Sequence, residues 1–164
     1  MKTEKNLADG FAGESQANIK YLAFAKEAEK EGYVQAAKLF RATAEAELIH
    51  AHSHLKALGK VKTTADNLKA AIAGETYEFS EMYPQFIADA KTEENTTAAL
   101  RSFTLANEAE KVHAKLYQSA LTNLEDIENF DYYLCTICGH IHEKGAPDVC
   151  PICGAKAQAY KKFD

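Results

Sequence analysis

Two short stretches carry side chains that could share a metal, Glu47-Leu48-Ile49-His50 and Glu110-Lys111-Val112-His113. Residues three apart lie on one face of a helix, so each pair can offer an oxygen and a nitrogen to the same ion. The second copy follows the first by 63 residues. Each is preceded by a lone carboxylate, Glu14 lying 33 residues before Glu47 and Glu78 lying 32 before Glu110. This internal duplication is the strongest signal in the chain. Oxygen-rich ligands with two imidazoles suit iron or manganese, and carboxylates can bridge two ions between four helices. Buried carboxylates without compensation are costly, and the only arginines, Arg41 and Arg101, fall outside the ligand stripes, so bound metal is the expected compensation.

A fifth carboxylate, Glu81, lies one turn after Glu78 and has no counterpart in the first half. Oxidising two ferrous ions to ferric adds two positive charges, which extra negative ligand charge would balance. Glu81 is expected to supply it, and neutral His50 to replace it on reduction. Tyr21 lies two turns after Glu14, and helical side chains lean toward the N-terminus, so its hydroxyl could reach a ligating carboxylate; core packing is the alternative. His54 reads as a core or supporting residue and His52 as surface. Glu75 and Glu108 lie off the ligand stripe and read as surface.

All four cysteines fall in a second motif, Cys135-Thr136-Ile137-Cys138-Gly139 and Cys150-Pro151-Ile152-Cys153-Gly154. Four thiolates at this spacing make a closed tetrahedral metal site. Zinc and iron share that geometry, so spacing alone leaves the metal open. A one-electron iron centre tethered to a two-iron site makes chemical sense and favours iron. Glycine after each second cysteine lets backbone amides turn toward the sulfurs, and Tyr133, Tyr160 and Phe163 can wrap the site.

The elements that must position these groups are long helices. Apolar periodicity predicts helices over 3–31, 34–58, 67–91 and 97–124, with turns at Gly32, Gly59 and 91–97 and an interruption near Pro84. The inner stripe of the third helix is expected to read Ala71, Gly74, Glu78, Glu81, Gln85 and Ala88. Antiparallel helices place residues equidistant from their turn side by side, which pairs Glu14 with Glu47 and Glu78 with Glu110. The expected fold is an all-α four-helix bundle over 1–131, followed across the acidic linker 124–131 by a small metal-knuckle domain with short β-strands over 132–164. From Tyr133 onward the chain carries +1, leaving −6 before it. The net charge of −5 offers no basic footprint for nucleic acid, and no apolar run approaches the ~20 residues needed to cross a bilayer. The charged start of the chain lacks an apolar export core, so a reducing cytoplasm is expected, where paired Cys-x-x-Cys motifs bind metal rather than form disulfides.

With both motifs placed, the chain resembles the rubrerythrins, a ferritin-like diiron bundle followed by a rubredoxin-like domain. The resemblance rests on Phe11-Ala12-Gly13-Glu14-Ser15, Glu47-Leu48-Ile49-His50, Glu78-Phe79-Ser80-Glu81-Met82-Tyr83-Pro84, Glu110-Lys111-Val112-His113 and the two cysteine knuckles. It implies two irons held by Glu14, Glu47, Glu78, Glu81, Glu110 and His113, with His50 as the exchanged ligand and Glu47 and Glu110 as bridges. A third iron would be held by Cys135, Cys138, Cys150 and Cys153. His140 departs from the aromatic residue that often follows the knuckle glycine. The implied activity is reduction of hydrogen peroxide, with electrons from rubredoxin or an NAD(P)H-dependent reductase, in a head-to-tail homodimer. A ferroxidase or iron-handling protein, and a zinc-knuckle binding module, are the competing readings.

Overall fold

The computed structural model describes all 164 residues, which divide into two compact units, Met1–Lys62 and Thr63–Asp164. The first is a hairpin of α1 (Lys2–Lys30) and α2 (Val34–Ala57). Both helices end in the same device. The amide of Gly32 bonds the carbonyl of Glu29 and that of Tyr33 bonds Ala28, and Gly59 and Lys60 repeat the pattern on Lys56 and Leu55. Such a cap needs positive φ, and Gly32 and Gly59 supply it at +85° and +65°.

The seam of the hairpin is built from small side chains at heptad spacing, Asn18 and Ala25 on α1 facing Ala37, Ala44 and Ala51 on α2, all buried. Alanine lets the two backbones approach closely. One consequence is that the buried Asn18 side chain reaches across to donate to the Ala44 carbonyl at 2.7 Å. Gly10 serves the same end near the open end of the hairpin, where a Cβ would stand 3.1 Å from the ring of His54.

The second unit begins at Thr63, whose hydroxyl accepts from the Asp66 amide and caps α3 (Thr64–Tyr77). The helix does not break at Pro84. Instead it widens into a π-turn over Glu78–Met82, closed by the Tyr83 amide on the Glu78 carbonyl, and resumes as α4 (Tyr83–Thr92). Pro84 then sits in the first turn of α4, where its missing N–H costs least. Helix α5 (Thr97–Thr122) returns antiparallel to α3 and α4. Of the expected stripe, Ala71 and Glu78 are half-buried, whereas Gly74, Glu81, Gln85 and Ala88 are exposed; Leu68, Ile72, Glu75 and, in the π-turn, Phe79 are half-buried as well. Leu68, Ile72 and Phe79 carry far more apolar surface than Gly74 and set the inward face.

The C-terminal part is a three-stranded antiparallel sheet in the order β2-β1-β3, with β1 Tyr132–Cys135, β2 Ile141–Glu143 and β3 Tyr160–Phe163. The architecture is therefore helices followed by a small sheet carrying the cysteines, as the sequence predicts. No helix is long and apolar enough to cross a membrane.

Candidate metal centres

The first unit brings Glu14 from α1 together with Glu47 and His50 from α2, their ligand atoms all within 4.8 Å of one another. His50 Nδ1 lies 3.0 Å from Glu47 Oε2, as the three-residue spacing requires. The second unit builds the matching group from Glu75, Glu110 and His113. Here His113 Nδ1 is 2.6 Å from Glu110 Oε2 and 3.8 Å from Glu75 Oε2. Its other nitrogen, Nε2, lies 2.8 Å from the carbonyl of Gly139 in the first knuckle. A carbonyl only accepts, so Nε2 carries a proton and Nδ1 is the atom turned to the carboxylates.

The electrostatics of the second group are those of carboxylates crowded together away from water. Burial comes first in pushing the Glu75 carboxyl up to about 7, followed by its hydrogen bond to Glu110 and the negative charges of Glu110 and Glu78. Glu78 is raised in the same direction, by burial and then by Glu110. Tyr83 is pushed up by burial and by the same three carboxylates, so its hydroxyl keeps its proton beside them. A divalent ion would relieve this repulsion, and two carboxylates with one imidazole in each group are suitable donors for iron.

The knuckles bring together four free thiols. Cys135 and Cys153 have their sulfurs 3.6 Å apart, as do Cys138 and Cys150. A tetrahedral ion with metal–sulfur bonds of about 2.3 Å requires sulfur separations of about 3.8 Å. The thiols are therefore set for one metal ion rather than for disulfides.

A family model described as Rubrerythrin matches residues 5–121, well over half of the chain, and one described as Rubrerythrin, rubredoxin-like domain matches residues 133–161. The chain belongs to the rubrerythrin family. It is 39% identical to nigerythrin of Nitratidesulfovibrio vulgaris over 92% of this chain and 81% of that protein. It is also 39% identical to the rubrerythrin of Porphyromonas gingivalis, over 97% and 88%. The solved structure of nigerythrin in its fully reduced, all-ferrous state is 37% identical and superposes with a TM-score of 0.61, covering 98% of this chain and 86% of that one. The carboxylate–histidine groups and the cysteine cluster are thus the diiron and rubredoxin-like metal-binding sites of a rubrerythrin-family protein.

Within that family frame, the structure places Glu14, Glu47, His50, Glu110 and His113 where the spacing predicts. It corrects the third helix. Glu75, which the stripe put on the surface, completes the second group, Glu78 stands beside it, and Glu81 is exposed. The reason is the π-turn, which takes in one residue more than an α-turn. Glu75 lies eight residues before Tyr83, and the extra residue puts it level with Glu14, seven before Tyr21. The duplicated pair Tyr21-x-x-Phe24 and Tyr83-x-x-Phe86 could have revealed this. Tyr21 and Phe24 pack with Phe40, and Tyr83 and Phe86 with Phe103, all with ring centroids 5.5–6.4 Å apart. Aligning the halves on these aromatic triads instead of on glutamates selects Glu75, and also marks Tyr83 as the partner of Tyr21. The ring of His54 lies against Gly10.

Proposed function

We propose that the chain is a non-haem diiron peroxidase that reduces hydrogen peroxide to water. The observation that carries this reading is His113, one imidazole that touches the carboxylates through Nδ1 and the cysteine knuckle through Nε2. Two ferrous ions bound at the carboxylate groups would supply the two electrons of O–O cleavage, and a cysteine-bound iron would return them singly, so that peroxide, two electrons and two protons give two waters.

The residues of the chain arrange the rest. In the first unit Glu14, Glu47 and His50, and in the second Glu75, Glu78, Glu110 and His113, would hold the iron, with Glu78 in the part expected of Glu81, and Cys135, Cys138, Cys150 and Cys153 would hold the third ion. Tyr83, whose hydroxyl keeps its proton beside Glu75, Glu78 and Glu110, is suited to protonating a leaving oxygen, and Tyr21 is its counterpart in the first unit. Gly139 and the His113 ring form a hydrogen-bonded path from Cys138 to the carboxylates. Residues 1–131 serve as the catalytic module and 132–164 as the electron-supplying one. Reducing equivalents come from rubredoxin or an NAD(P)H-dependent reductase. The free thiols suit the reducing cytoplasm. Ile19, Leu39 and Ile49, each about two-thirds exposed, support association into a homodimer.

The test follows the visible colour of the cysteine-bound iron in anaerobically reduced protein after one equivalent of hydrogen peroxide is added. Recovery of the ferric colour much faster than with dioxygen is expected. A coloured protein that recovers no faster with peroxide than with dioxygen refutes the peroxidase reading in favour of iron handling, and a colourless, zinc-loaded protein refutes the electron-supplying role.

A further inference from the structure

The two halves of the chain repeat each other closely, and they part company at one level. The 63 residues that separate Glu47 and His50 from Glu110 and His113 also set Ala44 against Asn107. In the first half the asparagine stands on the other helix, where Asn18 closes the seam by donating to the Ala44 carbonyl at 2.7 Å. In the second half Asn107 is itself buried, 8% exposed, and its Oδ1 is a buried oxygen with no hydrogen-bond partner. Glu75 meets Glu110 and Tyr83 packs on Phe103, so Asn107, between Phe103 and Glu110 on α5, lies level with the π-turn Glu78–Met82. The moved asparagine and the widened turn both depart from the duplication, and they fall together.

The orientation of the amide is fixed. Its Nδ2 lies 3.5 Å from Glu108 Oε1, and Glu108 is held in turn by Lys111 Nζ at 2.5 Å on the exposed side of α5. Turning the amide over would set its oxygen against that carboxylate, so Oδ1 is the end that faces inward. An amide oxygen only accepts, and leaving it unpaired is costly. The hydroxyl of Ser80, in the π-turn, does not serve it, being turned back to the Thr76 carbonyl at 2.6 Å. A small molecule carrying O–H is the group that suits it.

Resting on the peroxidase reading above, we propose that Asn107 is a specificity-determining residue whose Oδ1 accepts a hydrogen bond from hydrogen peroxide and so favours peroxide over dioxygen. Glu110 lies three residues on, and helical side chains lean toward the N-terminus, so its carboxylate reaches back over the turn that carries Asn107. Tyr83, its ring 6.4 Å from that of Phe103, flanks the same turn with a hydroxyl that keeps its proton. Hydrogen peroxide carries O–H on both oxygens and can donate one to Oδ1 while the other stays free. Dioxygen has no hydrogen to donate. A site built around a hydrogen bond penalises the analogue that cannot make it. Water, also an O–H donor, is the resting occupant. No covalent bond is made or broken at Asn107 itself.

The test compares the full-length protein with Asn107→Ala and Asn107→Leu. Alanine already fills the matching place at Ala44, so the first variant should fold, and leucine replaces the amide by apolar volume. In anaerobically reduced, iron-loaded protein, the rate of reoxidation by hydrogen peroxide should fall about tenfold in both variants, while the rate with dioxygen stays within about twofold. Peroxide and dioxygen rates that fall together, or that both stay, overturn the inference and leave the proposed function standing. A parent that reacts no faster with peroxide than with dioxygen overturns the proposed function and the inference with it. A second readout needs no metal. A crystal structure of the chelator-treated parent should show an ordered water within about 3.2 Å of Asn107 Oδ1. No water there, or a protein N–H or O–H in its place from this chain or a second copy, overturns the inference whether or not the variants take up iron.

Discussion

Glu75 offers the sharpest test of the second metal group, because its charge is costly only while no cation is present. Replacing it by glutamine removes the charge but keeps an N–H that can donate to Glu110 as the protonated carboxyl does. A carboxyl raised from 4.5 to about 7 binds its proton more tightly in the folded chain than in the unfolded one. Below pH 4.5 both states are protonated and the group has no effect on stability. Between 4.5 and 7 the folded state loses ground, and above 7 the loss is complete. At about 1.4 kcal/mol per pH unit this amounts to about 3 kcal/mol. The side chain is only 21% exposed, so solvent screens little of it. In urea unfolding of chelator-treated protein, Glu75→Gln should match the parent near pH 4.5 and exceed it by about 3 kcal/mol at pH 8. Adding ferrous ions anaerobically should reverse the order at pH 8, since binding at a thousand times the dissociation constant stabilises the parent by about 4.1 kcal/mol and the glutamine variant lacks one ligand. A gap between the two proteins that is the same at both pH values, or a parent that outlasts the variant at pH 8 without metal, would refute the reasoning.

Three other substitutions test the remaining parts. Gly10→Ala presses a methyl against the His54 ring, and that strain should cancel the roughly 0.5–1 kcal/mol that alanine gains over glycine inside a helix; a clear rise in the thermal or urea midpoint would mean that His54 is not held there. Asn18→Ala removes the cross-hairpin bond to Ala44 and should cost about 1 kcal/mol, read as a lower urea midpoint at unchanged slope. Cys150→Ser opens the tetrahedral site, and elemental analysis should find one metal fewer per chain while the carboxylate groups keep theirs.

Much of the candidate site was legible because it is local. Glu47 with His50, Glu110 with His113, and the paired knuckles are fixed by the three-residue period of a helix or by a tight turn, and neither depends on what packs nearby. Gly32 and Gly59 likewise announce their turns through backbone geometry that other residues strain to adopt. The third helix was less legible for an equally local reason in another guise. A period count assumes 3.6 residues per turn throughout, and the widened turn at Glu78–Met82 breaks that assumption, leaving only the offset between Tyr21-x-x-Phe24 and Tyr83-x-x-Phe86 to record it.

What the sequence determined by itself, then, is the kinds of ligand, their duplication and the order of helices and knuckles. Tertiary structure decided which glutamate completes the second group. Leu68, Ile72 and Phe79 win the face of α3 by apolar area and carry Glu75 inward with them, while Glu81 turns out to solvent. It also decided that His113 spans from Glu110 to Gly139, and that His140 meets Tyr160. Those contacts join residues 26 and 20 apart in the chain. No local period encodes such distances, because they arise only when separate elements bury their apolar faces together.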